Sequence, residues 1–247
     1  MGDRCAADTG GTFTDLVADD GRIAKVLSTP DDPARAVREG LEELVSQPPD
    51  SLAHGTTVAT NALLERRGAR VALVTNAGFA DVIEIGRQDR PSLYDIWADR
   101  PEPLVPRHLR LEVAGRLDAA GEELEAVDLE GLPDVPDEVE AVAVSLLHAD
   151  LNPAHEQAVA DALARRGLDV TCSHEVSPEF REYERTVTTV VNAYLRPRCR
   201  RYLRSVGDLA GDVLVMTSAG GLIPADEAAD LPVALLLSGP AGGVVAA

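Results

Sequence analysis

The amino-acid sequence predicts an α/β protein with a mixed sheet flanked by helices. Three observations carry that expectation. Short apolar or alternating segments take turns along the chain with segments whose apolar residues recur at three and four positions, the order that builds a helix-covered sheet. Two runs, Val71 to Thr75 and Ala141 to Leu147, are apolar nearly throughout, as in strands buried on both faces. Beyond Ser177-Pro178, the residues Phe180, Tyr183, Val187, Val190, Val191 and Tyr194 form one amphipathic stripe.

In chain order, residues 4 to 28 read as a hairpin with a third strand. The first strand runs into Asp8-Thr9-Gly10-Gly11-Thr12-Phe13-Thr14-Asp15. Asp15 to Asp19 is the second strand, Asp20-Gly21 a turn, and Ile23 to Leu27 the third strand. Asp32 as N-cap and Pro33 at the first helical position open a helix. Val37, Leu41, Leu44 and Val45 give it one face, and Pro48-Pro49 end it. A short strand at Leu52-Ala53 leads into His54-Gly55-Thr56-Thr57, and Val58 to Arg67 is helical, closed by Gly68. Pro91, Pro101, Pro103 and Pro106, with Tyr94 and the single Trp97, mark a long loop. Leu109 to Leu117 alternates as a strand, and Asp118 to Gly121 is a turn. A helix opens at Asn152-Pro153 and stops at Gly167, and Val170 to Ser173 is strand-like. The amphipathic helix from Ser177-Pro178 closes or kinks at Pro197. Strand Val213 to Met216 precedes Thr217-Ser218-Ala219-Gly220-Gly221, and Val233 to Leu237 leads into Ser238-Gly239-Pro240-Ala241-Gly242-Gly243.

Composition narrows the function classes. Asp and Glu number 42 against 23 Lys and Arg, a net charge of −19. Such a surface repels nucleic acid and anionic lipid, so neither is an expected partner. Lys25 is the only lysine. An acidic, lysine-poor surface fits a salt-rich cytoplasm; a GC-rich genome also exchanges Lys for Arg, and both explanations stand. Aromatics make up 3%, so the core must be built from Ala, Val and Leu. Cys5, Cys172 and Cys199 are widely spaced and odd in number, which fits reduced thiols in a cytoplasmic protein. There is no run of about 18 apolar residues to span a membrane.

The first hairpin carries the chemistry. Paired glycines let the backbone approach a bulky anion with no Cβ in the way. Their N–H groups, with the Thr9 and Thr12 hydroxyls, form a donor surface for phosphate oxygens. Asp8 at the strand end suits a hydrated divalent cation. A tight hairpin with Asx-turn chemistry is the competing reading. The pattern lacks Gly-Lys-Ser/Thr and the spaced Gly-x-Gly-x-x-Gly, so it is neither a Walker loop nor a dinucleotide fingerprint. His54, at an expected strand-to-helix junction, is a candidate catalytic side chain. Arg87, beside Gln88, offers a fork for a substrate carboxylate or an ordinary surface ion pair. Glu182, Glu184 and Arg185 fit a solvated helix face, and His148 and His155 fit structural roles.

A phosphate loop inside a hairpin is the arrangement of actin-like and sugar-kinase ATPases. The octet Asp8 to Asp15 resembles the start of the hydantoinase A and 5-oxoprolinase family. Further blocks extend the likeness over nearly the whole chain: His54 to Arg66, Gly78 to Val82, Gly86-Arg87-Gln88, Arg181 to Thr186, Val191 to Tyr194, and Ser238 to Val244. The resemblance implies an actin-like (ribonuclease H-like) ATPase fold with an incomplete second lobe. It divides the chain into an N-terminal actin-like domain, residues 1–175, and the start of the hydantoinase A domain, residues 176–247. Implied cofactors are ATP and Mg²⁺. Implied activity is the opening of a cyclic amide, a hydantoin or 5-oxoproline, with a hydantoinase B-type partner subunit. The related alternatives are the nucleotide-binding subunit of an acetone-type carboxylase and a non-catalytic actin-like module that binds a partner. The family's second phosphate loop lies beyond Ala247, so the chain reads as the front of a larger enzyme, inactive alone. Candidate catalytic residues are Asp8, His54 and Arg87, with Asp8 also the metal ligand. Candidate phosphate-binding residues are Thr9, Gly10, Gly11, Thr12, Thr14, Gly239, Gly242 and Gly243. At 217–221 the family tends to carry Gln-Ser-Asn-Gly-Gly, and this chain lacks both amides.

Overall fold

The computed structural model describes residues 3–29 and 31–239. The chain packs as two compact units, one of residues 1–68 with 195–247 and one of residues 69–194. The division expected after residue 175 runs along the chain, whereas the first packing unit is discontinuous. In chain order the elements are β1 (Arg4–Thr9), β2 (Phe13–Ala18), β3 (Ile23–Leu27), α1 (Pro33–Leu44), β4 (Ser51–Thr56), α2 (Val58–Leu64), β5 (Val71–Asn76), α3 (Val82–Ile85), β6 (Arg110–Val113), β7 (Arg116–Leu117), β8 (Glu123–Glu125), β9 (Ala141–Val144), α4 (Ala154–Ala164), β10 (Val170–Cys172), α5 (Ser173–Val176), α6 (Glu182–Gly207), β11 (Asp212–Met216), β12 (Leu222–Pro224) and α7 (Ala225–Asp230).

The first unit holds a six-stranded mixed sheet in the order β12-β11-β4-β1-β2-β3. β1, β2 and β3 are antiparallel neighbours, β4 runs parallel to β1, and β11 runs parallel to β4. β1 is therefore paired on both edges, and its side chains alternate strictly between faces. Cys5, Ala7 and Thr9 are buried with Leu16, Leu52, His54 and Val215. Helix α1 packs against β2 and β3, with Ala36 and Val37 fully buried. On the opposite face Asp8 and Asp15 are exposed, and Val17 and Ile23 stay 41% and 80% exposed.

The second unit holds a four-stranded parallel sheet, β10-β9-β5-β6. All of β5 and β9 is buried, as their continuous apolar character requires. The two ends of the unit meet, since Ala69 N–H donates to Tyr194 O at 2.8 Å. Glu156 of α4 is the unit's polar hub. Its wholly buried carboxylate accepts from the Leu146 N–H (2.8 Å), the Ser173 hydroxyl (2.6 Å), and the His174 N–H and Nδ1–H (3.0 and 2.7 Å). That carboxylate holds the His174 imidazole above its ordinary pKa.

Several elements differ from expectation for local reasons. The strand expected over 109–117 breaks at Gly115, whose φ is +132° and where a Cβ would lie 2.7 Å from Val127 Cα. β6 then stays with β5 while β7 pairs with β8. The long helix starts at Glu182, not at Ser177-Pro178. Arg185 reaches back to Glu179 O, holding the preceding segment out of the helix, and Phe180 is exposed. Pro197 sits inside α6 without ending it. Asp32 makes no side-chain cap bond to α1; the Thr29 hydroxyl instead donates to Asp32 O. All three cysteines are buried, and none is in a disulfide.

Replacing Glu156 with Ala strands four buried donors, and the cost expected is about 3 kcal/mol or more. Urea denaturation of Glu156→Ala against the parent chain measures it; an unchanged midpoint would show that the hub is not what holds α4 and α5 to the sheet.

Candidate functional site

The hairpin tip is a two-residue turn, Gly11-Thr12. Gly10 N–H donates to Phe13 O at 3.0 Å and closes it. Ser28 holds the turn from the third strand's end: its hydroxyl donates to Gly10 O (2.8 Å), its N–H donates to Thr12 O (2.9 Å), and Thr14 Oγ1 lies 3.0 Å from its hydroxyl. The Gly11 and Thr12 N–H groups have no partner among the described residues. Of the donors expected from the sequence, these two amides and the exposed Thr12 hydroxyl are the ones open to a ligand. Gly10 N–H is already used in the turn. Thr9 and Thr14 are buried beneath it, at 2% and 0% exposure, and act as its support. Neither φ of Gly10 nor of Gly11 is positive. Gly10 is needed for space, because a Cβ there would lie 3.2 Å from Phe13 O.

A two-residue turn fixes the register behind it, and Asp8 falls opposite Asp15. Such cross-strand neighbours place their Cβ atoms about 5 Å apart, and like charges there repel. Lys25 on β3 lies opposite Asp15 and pairs with it, Nζ to Oδ1 at 2.7 Å. The Asp8 carboxylate has no hydrogen bond or ion pair among the described residues. On its other side Asp8 lies opposite Gly55 of β4, where a Cβ would come within 2.9 Å of Asp8 Oδ1. Gly55 is thus the residue that lets the carboxylate lie over the sheet. Asp8, Asp15, Gly55, Ser238 and Gly239 share a cavity of about 700 Å³ on this face. Ser238 is anchored by its hydroxyl to Thr56 O at 3.4 Å. Gly242 and Gly243 lie outside the described residues. The sequence reading missed Gly55, Lys25 and Ser28 as site residues. Counting back from a two-residue turn would have paired Asp8 with Asp15.

His54 sits inside β4, not at its junction with α2, and is 1% exposed. Its Nδ1 lies 3.2 Å from Ala7 O and its Nε2 lies 2.5 Å from the Tyr202 hydroxyl of α6. Burial pushes its pKa down to about 4, against a small opposing pull from the Ala7 carbonyl. Placed so, the ring is a buried, neutral imidazole held between Ala7 and Tyr202, which does not fit the exposed catalytic side chain expected from the sequence.

Arg87 lies in the second unit. Its fork grips Glu184, Nε to Oε1 at 2.7 Å and Nη2 to Oε2 at 2.5 Å, the surface ion pair that the sequence left as one alternative. The pair borders a cavity of about 810 Å³ under the Pro-rich loop, with Arg90, Arg100 and Tyr183. Arg185, expected on a solvated face, is 1% exposed and bonds Asp150 Oδ1 and Leu146 O, both at 2.8 Å. Glu156, Cys172 and His174 bring potential metal-ligating atoms within 4.8 Å of one another. The carboxylate of that set is already saturated by four donors, so the cluster reads as the structural hub described above. No helix among the described residues is long and apolar enough to cross a membrane.

Comparison with known proteins now decides the family. The hydantoinase/oxoprolinase N-terminal region matches residues 4–167, and the hydantoinase/oxoprolinase description matches residues 185–247. The chain belongs to the hydantoinase/oxoprolinase family. It is 38% identical over 268 residues to caprolactamase subunit alpha of Pseudomonas jessenii, covering 96% of this chain and 38% of that protein. It is 34% identical over 292 residues to 5-oxoprolinase 1 of Arabidopsis thaliana, covering 98% of this chain and 23% of that one. The crystal structure of ATP-dependent caprolactamase from Pseudomonas jessenii superposes with a TM-score of 0.84 at 35% identity, over 96% of this chain and 39% of that one. The nucleotide-free structure of acetone carboxylase superposes with a TM-score of 0.83 at 26% identity, over 99% of this chain and 40% of that one. The expected actin-like α/β fold stands. The chain spans about two-fifths or less of these relatives.

Gly55→Ala is expected to displace the Asp8 carboxylate while leaving the strand ladder intact. Chemical-shift mapping checks it: changes should concentrate at Asp8 and its neighbours, and a spectrum altered throughout would mean that the sheet itself had moved. His54 sets a pH dependence. Between pH about 6.5 and about 4 the unfolded chain binds a proton that the folded chain refuses, so stability falls as pH drops through that window, by about 3 kcal/mol in total. Urea midpoints at successive pH values should show this loss, and His54→Gln should flatten the curve above pH 5.

Proposed function

We propose that this chain is the nucleotide-binding N-terminal portion of an ATP-dependent enzyme that opens a cyclic amide of the hydantoin or 5-oxoproline type. The observation that carries the reading is the hairpin tip. Two amides without a partner among the described residues, Gly11 and Thr12, form the tip of the strand pair whose register sets the Asp8 carboxylate opposite Asp15, the residue that Lys25 takes. The names of the relatives, 5-oxoprolinase and ATP-dependent caprolactamase, support the same reaction class.

Magnesium fits the residues present. The ligand on offer is a hard carboxylate oxygen in the open, with a second acidic residue opposite, and the ion takes one or two carboxylates with phosphates and water. Asp8 would hold it, and the ion when bound neutralises phosphate charge. The protein's own part is positioning and charge stabilisation. Gly11 and Thr12 donate to phosphate oxygens, while Ser28, Thr14 and the Gly10–Phe13 bond keep those donors aimed. Phosphorylating an amide oxygen makes its carbon open to water, so the reading requires no protein nucleophile. Glu184 occupies the Arg87 fork, and we assign Arg87 to bracing the Pro-rich loop, not to substrate. A hydantoinase B-type partner subunit is proposed too, supported by the word subunit in the caprolactamase name.

The acetone carboxylase superposition favours a second reading, in which the same phosphate site serves carboxylation. Assays of the complete enzyme with lactams, hydantoins and ketones separate the two.

Mg-ATP titrated into the chain is expected to move the Gly11 and Thr12 amide resonances. Asp8→Ala and Gly10→Val are expected to abolish the shifts and leave the rest of the spectrum in place. Shifts that persist in both variants, or that fall far from the hairpin, would overturn the assignment.

A further inference from the structure

The buried His54 and Tyr202 pair lies directly behind the proposed phosphate hairpin. Its hydrogen atoms can be assigned by elimination. Ala7 O only accepts, so the His54 Nδ1 at 3.2 Å from it must carry the proton. A neutral ring then has a bare lone pair on Nε2. The Tyr202 hydroxyl, 2.5 Å away, must donate to that lone pair. The phenol oxygen is left as an acceptor, and the Thr9 and Thr56 hydroxyls face it. Thr56 Oγ1 already accepts from Val58 N–H at 3.2 Å, which frees its own hydrogen for the phenol. Thr9 Oγ1 is buried and makes no hydrogen bond of normal geometry. Tyr202 and His54 are 7% and 1% exposed, so water does not compete.

The far end of this chain of bonds is the carbonyl of Ala7. The same rigid peptide plane carries the N–H of Asp8. Anchoring Ala7 O therefore fixes the backbone from which the Asp8 carboxylate and the turn extend. We propose that Tyr202 is a positioning residue for the nucleotide site: by donating to His54 Nε2 it anchors the ring whose Nδ1–H holds the Ala7–Asp8 peptide and with it the hairpin tip. This rests on the reading of the hairpin as the phosphate site, and it adds a specific residue on α6, 148 positions away in sequence from His54.

The tautomer claim is tested without any ligand. Ring nitrogen shifts of His54 at neutral pH should show a protonated Nδ1 and a bare Nε2. In Tyr202→Phe the ring keeps its Nδ1–H toward Ala7 O but loses its anchor at Nε2, and amide hydrogen exchange should quicken across Ala7 to Thr12 more than elsewhere in the sheet. Mg-ATP should bind the variant about tenfold more weakly, the effect of losing one buried hydrogen bond. His54→Asn keeps a donor where Nδ1 sits, so it should retain affinity that His54→Leu loses; a merely space-filling role would not separate these two. If Tyr202→Phe does not fold, the Asn and Leu pair decides. A protonated Nε2 in the parent chain, or a Tyr202→Phe variant with unchanged exchange at Ala7 to Thr12, overturns the proposal. If the parent chain shows no response to Mg-ATP, the phosphate reading fails instead, while the ring shifts still decide the brace.

Discussion

Two carboxylates lie opposite one another across the first hairpin, a pairing in which like charges repel. The turn of Gly11 and Thr12 sets the register that puts Asp8 opposite Asp15. The only lysine in the sequence lies on the next strand and takes Asp15. Gly55, on the other side, leaves room for the Asp8 carboxylate. A strand paired on both edges cannot swing away from this arrangement, so the Asp8 carboxylate stays on the open face of the sheet.

The same economy governs the buried polar groups. With few aromatics the core is Ala, Val and Leu, which pack without offering hydrogen bonds. Each polar group placed inside it must find its partners among backbone and a few side chains. Glu156 finds four donors, Arg185 finds Asp150 and two carbonyls, and His54 finds Ala7 and Tyr202. These are the points where elements distant in sequence are tied to one another. A carboxylate saturated in this way is a poor metal ligand even with Cys172 and His174 nearby, since binding an ion would break bonds already made.

Much of the fold was legible because its signals were local. Two buried strands announced themselves as apolar runs, and the octet Asp8 to Asp15 marked the hairpin and its chemistry. What the sequence hid depended on partners far along the chain. Leu109 to Leu117 alternates as one strand should, and only the approach of Val127 to Gly115 shows why it is two. His54 follows two strand residues and precedes Gly-Thr-Thr, which looks like a strand end; its burial needs Tyr202, which no local pattern reveals. Arg87 was an open choice between ligand and ion pair until Glu184 on α6 came beside it. The free state of Asp8 needed Lys25, from a strand whose pairing the hairpin spacing alone left implicit.

The clasp between Ala69 and Tyr194 bears on the order of assembly during synthesis. Residues 69–194 are contiguous, so that unit has all its strands once Tyr194 has left the ribosome. The unit holding the first hairpin must wait, because β11 completes its sheet beside β4 only after the intervening residues have emerged. Closing so long a gap costs more chain entropy than a local turn does, but a folded insert whose ends already touch shortens the effective gap to almost nothing. The middle of the sequence thus becomes the earlier event in time, and its closure brings the two parts of the six-stranded sheet within reach of one another.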